Sequence, residues 1–189
     1  MIINLIDKNL AKILLFLAIS PGSRYSRKEI KEKTEMNNVP LDISLNLLLS
    51  FNLINEKEKI YSLNLNNLFV QNILMEIKER FSNLPLKIQF LLIDFISLAS
   101  RLKYIEKIIL FGSYSKLIFS EKSDIDIAIV FSGKTKNKNL IEKKIMALSE
   151  KISKKYKKEI QEHFFVESDL KHKEDPLIKD ILRNGISLI

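Results

Sequence analysis

The chain has 189 residues, enough for one large domain or two small ones, and 46% of them are apolar, ample for packed cores. It contains no cysteine and only two histidines, His163 and His172, which excludes disulfides and thiolate metal sites and argues against zinc. The formal charge of +8 comes overwhelmingly from lysine and suits an anionic partner without specifying one. The start lacks the basic region of a signal peptide and no apolar run approaches a membrane span. The expectation is a cytoplasmic protein with no membrane association.

Residues 1–63 read as one unit. Asp7 is placed to cap a helix whose apolar residues Leu10, Ile13, Leu14, Leu17 and Ala18 share one face, and Pro21-Gly22 ends it. Ser26-Arg27-Lys28-Glu29 is a capping box opening a second helix. Pro40, after Asn37-Asn38-Val39, sits near the first position of a third helix carrying Leu41, Leu45, Leu48 and Leu49. Leu53-Ile54-Asn55 and Ile60-Tyr61-Ser62-Leu63 flank the polar turn Glu56-Lys57-Glu58-Lys59, which predicts a hairpin. Three helices followed by a hairpin resemble a winged-helix module. DNA is therefore one expected partner, but the footprint is weak. No Lys or Arg lies between Leu41 and Ile54, and the acidic residues of the unit nearly balance its basic ones. Use of the module for protein contacts, including a homodimer, is the other expectation.

Residues 64–102 predict two helices broken at Asn83-Leu84-Pro85. Leu68, Phe69, Ile73, Met75, Ile77 and Phe81 are apolar in the first; Ile88, Leu91, Leu92, Phe95, Ile96 and Leu98 in the second. They read as a helical linker, with Asp94 a cap or salt-bridge partner.

The chemistry concentrates in residues 107–131. The run Ile108, Ile109, Leu110, Phe111 stops at Gly112-Ser113, and Asp124-Ile125-Asp126 leads into a second run, 127–131. Short apolar runs bounded by Gly, Ser and Asp predict strand, tight turn, short helix, strand. Gly112 lets the backbone turn sharply and approach a ligand closely. Ser113 stands where a helix would begin, with a hydroxyl and free N–H groups for phosphate oxygens. Asp124 and Asp126, two apart on a strand, leave the same face. Two such carboxylates repel without a cation, and hard oxygen ligands at that spacing suit magnesium.

Gly112-Ser113, ten residues and then Asp124-x-Asp126, within "LFGS" and "SDIDIAIV", resemble the polymerase-beta-like nucleotidyltransferase superfamily. The resemblance is closest to minimal nucleotidyltransferases, some of them antitoxins paired with HEPN proteins. It implies magnesium-dependent transfer of a nucleoside monophosphate from a triphosphate such as ATP. Asp124 and Asp126 would hold the metal and act in catalysis; Gly112 and Ser113 would bind nucleotide. Where the family often has Arg and a second Gly after Gly-Ser, this chain has Tyr114, Ser115, Lys116 and Leu117. Lys116 could supply the missing cation. A third carboxylate, both metal ligand and catalytic, is expected on a later strand within 159–164. Glu162 is the choice, and Gln161 in that slot would leave the site one ligand short.

Beyond the second strand, Lys134, Lys136, Lys138, Lys143, Lys144 and further lysines surround Ile141, Ile145, Leu148 and Ile152, an amphipathic helix crossing back over the sheet. Residues 160–166 would be the third strand. Pro176 and Gly185 bracket a short last helix whose ending also resembles archaeal members of the family. The expected architecture is an α+β multidomain chain. It comprises a winged helix-turn-helix at 1–63, a helical linker at 64–102 and, at 103–189, an α/β nucleotidyltransferase fold with a small mixed sheet. The leading functional expectation is AMP transfer onto a protein or RNA hydroxyl, with a HEPN-type protein among the expected partners. The alternative is a winged-helix DNA-binding regulator whose second domain binds nucleotide without catalysis.

Overall fold

Contacts divide the chain into two units, Met1–Ile93 and Asp94–Ile189, with the division inside a helix that the sequence assigned to a linker. The structure, a computed structural model, describes residues 7–80, 83–99, 101–133 and 137–189, and for 77–80 the backbone alone. The chain start, Phe81, Lys134, Lys136 and the side chain of Ile77 lie outside the described residues.

In the first unit the elements run α1 (Lys8–Ile19), β1 (Tyr25–Ser26), α2 (Arg27–Thr34), α3 (Asn38–Ser50), β2 (Ile54–Lys57), β3 (Ile60–Leu63) and α4 (Leu68–Arg80). Asp7 caps α1 by accepting from the Asn9 amide at 2.8 Å, and Leu10 through Leu17 are buried. The Ser26–Glu29 capping box forms as the sequence predicts, the Ser26 amide donating to Glu29 Oε2 at 2.7 Å. Leu41, Leu45 and Leu48 of α3 are buried, as is Ile30 of α2, and α1 packs against both helices. The strands form an antiparallel sheet in the order β1-β3-β2.

The hairpin differs from its sequence reading in one respect. Glu56 and Lys57 belong to β2, so the turn narrows to Glu58-Lys59, both with positive φ, 55° and 61°. A two-residue loop with both residues left-handed matches the twist of the flanking strands, but favours Asn-Gly over Glu-Lys. The double variant Glu58→Asn, Lys59→Gly is therefore expected to gain about 1 kcal/mol, roughly 2–4 °C in thermal melting for a chain of this size.

The second unit begins within α5 (Leu86–Ala99) and continues with β4 (Ile105–Phe111), α6 (Gly112–Ser115), β5 (Ile125–Phe131), α7 (Lys138–Tyr156), β6 (Ile160–Val166), α8 (Pro176–Asn184) and β7 (Ile186–Ser187). The sheet order is β6-β5-β4-β7, with β5 and β6 parallel and the other pairs antiparallel. The parallel pair requires the long crossover that α7 supplies. One face carries Ile109, Phe111, Ala128, Val130 and Phe165, covered by Ile181 of α8. The opposite face carries Ile108, Leu110, Ile125, Ile127, Ile129 and Phe131, all buried. Lys138 of α7 lies over the Phe131 ring at 5.8 Å, which places α7 on that opposite face. Asp94 is buried, accepting from Lys155 and from the Tyr156 hydroxyl, each at 2.7 Å. Among the described residues Lys138, Lys154, Lys155 and Lys158 of the basic stretch thus have partners within the fold.

Candidate functional site

Sheet register builds the site. Phe111, the last residue of β4, pairs with Asp126 of β5, so the chain leaving β4 must turn across the Asp126 side chain. Gly112 makes that turn with φ +71°, in the left-handed region, and its Cα lies so close to Asp126 that any Cβ would collide with the carboxylate. The glycine is required twice over, by backbone conformation and by space. The next residues form the single turn α6, where Ser115 Oγ donates to the Gly112 carbonyl at 3.1 Å. The Ser113 carbonyl accepts from the Ile118 amide at 3.0 Å, folding the following loop back on the turn. Tyr114 is buried and stacks on Phe119, with centroids 4.4 Å apart and planes 6° apart. Lys158 lies over the Tyr114 ring at 5.4 Å and donates to the Glu121 carbonyl at 2.7 Å. The loop into β5 is thereby braced from both sides.

Asp124 is exposed just ahead of β5, and Asp126 is half-buried one residue inside it. Burial raises the Asp126 carboxyl above the ordinary aspartate range. The His163 charge opposes that rise, Asp124 and Asp180 add to it, and Lys116 opposes it. Four ionisable groups therefore act on Asp126 around this turn.

The parallel pairing of β5 with β6 settles which face each β6 side chain uses. Asp126 pairs with Gln161, Ile127 with Glu162 and Ala128 with His163. Paired residues share a face and successive ones alternate. Gln161 and His163 thus lie on the Asp126 face, while Glu162 lies on the other face with Ile127 and Ile129. The residue expected as the third carboxylate points away because β6 is placed one residue out of the register that expectation needs. In its stead the row beside Asp126 holds a neutral amide. His163 Nε2 is 4.0 Å from Asp126 Oδ1, and its ring meets Phe111 edge-on at 5.1 Å.

Lys116 caps the end of α6 and is ion-paired with Asp180 of α8 at 2.8 Å, and Asp180 further accepts from Asn184 at 2.7 Å. These two donors hold the Asp180 carboxyl below the usual aspartate range. Sequence reasoning missed Asp180, because nothing in a short amphipathic helix announces which polar position meets a turn formed sixty residues earlier. His163 was legible in principle: it shares the Gln161 face once the strand is read with period 2.

The donor set suits magnesium arriving with a substrate. Asp124 and Asp126 offer hard oxygens, and Gly112 adds no side chain of its own over the Asp126 carboxylate. Among the described residues no group of three His, Cys, Asp or Glu is arranged to hold a metal. Phosphate oxygens and water would have to complete the shell, which is how magnesium is commonly bound. Among the described residues no helix is long and apolar enough to cross a membrane.

Among curated proteins none matches the chain. A solved structure of a candidate nucleotidyltransferase from Sulfolobus solfataricus aligns at 18% identity with a TM-score of 0.33, covering 53% of this chain and 80% of that one. The family described as "Polymerase beta, Nucleotidyltransferase" matches residues 94–189, the whole second unit and just over half of the chain. The strand–turn–strand corner with its Gly-Ser and Asp-x-Asp falls inside that match, and the chain belongs to the polymerase beta nucleotidyltransferase family.

Proposed function

We propose that the chain binds a nucleoside triphosphate with magnesium at the corner formed by Gly112, Ser113, Asp124 and Asp126, and transfers the nucleoside monophosphate, AMP from ATP, to a hydroxyl of a macromolecule. The observation that carries this reading is the Gly112 backbone turning directly over the Asp126 carboxylate, with Asp124 beside it. Asp124 and Asp126 would hold magnesium, which supplies neutralisation of phosphate charge when bound. Ser113 and the backbone of the turn would seat phosphate oxygens. In the transfer, the acceptor oxygen bonds to the α-phosphorus and the bond to pyrophosphate breaks. The hydroxyl proton passes to one of the carboxylates at this corner. The acceptor is a protein, of HEPN type in an antitoxin setting, or an RNA end. Incubation with α-labelled ATP and magnesium distinguishes the two by whether label enters protein or RNA.

The position of Gln161 shapes the prediction for the metal. Glu162→Gln is expected to leave magnesium-dependent ATP binding unchanged, since Glu162 lies on the far face. Gln161→Asp, which adds a carboxylate in the Asp126 row, is expected to tighten it about tenfold. Calorimetric titration of the two variants checks both.

A second reading is that residues 8–63 form a winged-helix module and the chain is a DNA-binding regulator that binds nucleotide without turnover. The neutral Gln161 in the Asp126 row and the absent Arg favour it. The order helix, strand, helix, helix, strand, strand supports the winged-helix part. The exposed side of α3 opposes the DNA part, because it presents Val39, Ile43 and Leu47 where phosphate or base contacts would need cations and amides. A duplex-DNA shift that weakens steeply with salt, with no labelled product, would favour this reading over transfer.

A further inference from the structure

Lys116 leaves the C-terminal end of the turn that carries Gly112 and Ser113, yet its ammonium is held by Asp180 at 2.8 Å. Asp180 is anchored by Asn184, one turn further along α8, and Ile181 beside it packs with Phe111 and Ala128 on the Asp126 face. Of the two partners the lysine, on a long flexible stem, is the one free to move. We propose that the Lys116–Asp180 pair is a latch that competes with the triphosphate for Lys116, so that only a ligand of sufficient negative charge opens it. The inference rests on the nucleotide site proposed above.

Three features support it. The pair is about a quarter to a third exposed, so its strength is modest and a multiply charged ligand can displace it. Lys116 directly follows the single turn that carries Gly112 and Ser113, so the released lysine has the phosphate-binding corner within reach. Once Lys116 has left, Asp180 stands as an uncompensated carboxylate beside the phosphates. That penalty is tolerable for a triphosphate, which engages the lysine strongly, and not for a monophosphate. The latch thus selects by charge.

The test is calorimetric titration of ATP and of AMP, each with magnesium, into wild type, Asp180→Asn, Lys116→Met and the double variant, all checked for unchanged melting. Asp180→Asn is expected to tighten ATP about fivefold and to narrow the preference over AMP, and Lys116→Met to weaken ATP about tenfold. In the double variant the gain from Asp180→Asn should vanish, since no lysine remains to be released. The same gain in both backgrounds means plain charge repulsion and overturns the latch. Wild type that binds ATP while Asp180→Asn binds no tighter overturns the latch alone; wild type that does not bind ATP overturns the nucleotide site and the latch with it.

Discussion

Asp126→Asn is expected to lose magnesium-dependent ATP binding by about 100-fold or more and, at neutral pH without magnesium, to melt higher than wild type. The first effect follows from removing one of two carboxylates that would hold the ion. The second follows from the sign of the Asp126 shift. Its folded-state carboxyl is raised above the unfolded value, chiefly by burial, so the folded chain takes up this proton more readily than the unfolded one. The charged form therefore weakens the fold above the raised value. That cost disappears as pH falls through it toward the ordinary aspartate range. Melting wild type and Asp126→Asn from pH 7 to pH 4 should show the variant ahead at pH 7 and the gap closing as pH falls. A gap that widens on acidification would contradict the burial argument.

Gly112→Ala is the other large effect expected. The backbone there has φ +71°, where an alanine costs about 1–2 kcal/mol in backbone strain alone. The added methyl must also displace the Asp126 carboxylate, so the variant should lose at least about 2 kcal/mol of stability and most of its ATP binding. Gly133→Ala serves as the control, since nothing lies within 4 Å of a Cβ added there. Chemical denaturation of the three proteins, with titration of ATP into each, reads both consequences. Equal stability of Gly112→Ala and wild type would mean that the turn is not pressed against Asp126.

Much of the second unit was legible because its signals are local. The apolar runs on either side of Gly112-Ser113 and Asp124-x-Asp126 became β4 and β5, and the apolar line through Ile145 and Ile152 became the buried side of α7. Period-2 burial and turn residues act within a few positions, so a sequence displays them directly. Strand register does not act locally. Whether Gln161 or Glu162 stands beside Asp126 depends on how β6 aligns with β5, and a one-residue difference moves the side chain to the other face. The partner of Lys116 was invisible for the same reason, since Asp180 reaches it only once α8 has folded back over the sheet.

The measurement that tests the central claim most directly is isothermal titration of ATP with and without magnesium into the full chain and into the Asp124→Ala, Asp126→Ala double variant. The account predicts binding by wild type that requires magnesium and is lost in the double variant, whose fold is retained. Equal binding by both proteins, or binding by neither, would contradict a nucleotide–metal site built on these two carboxylates.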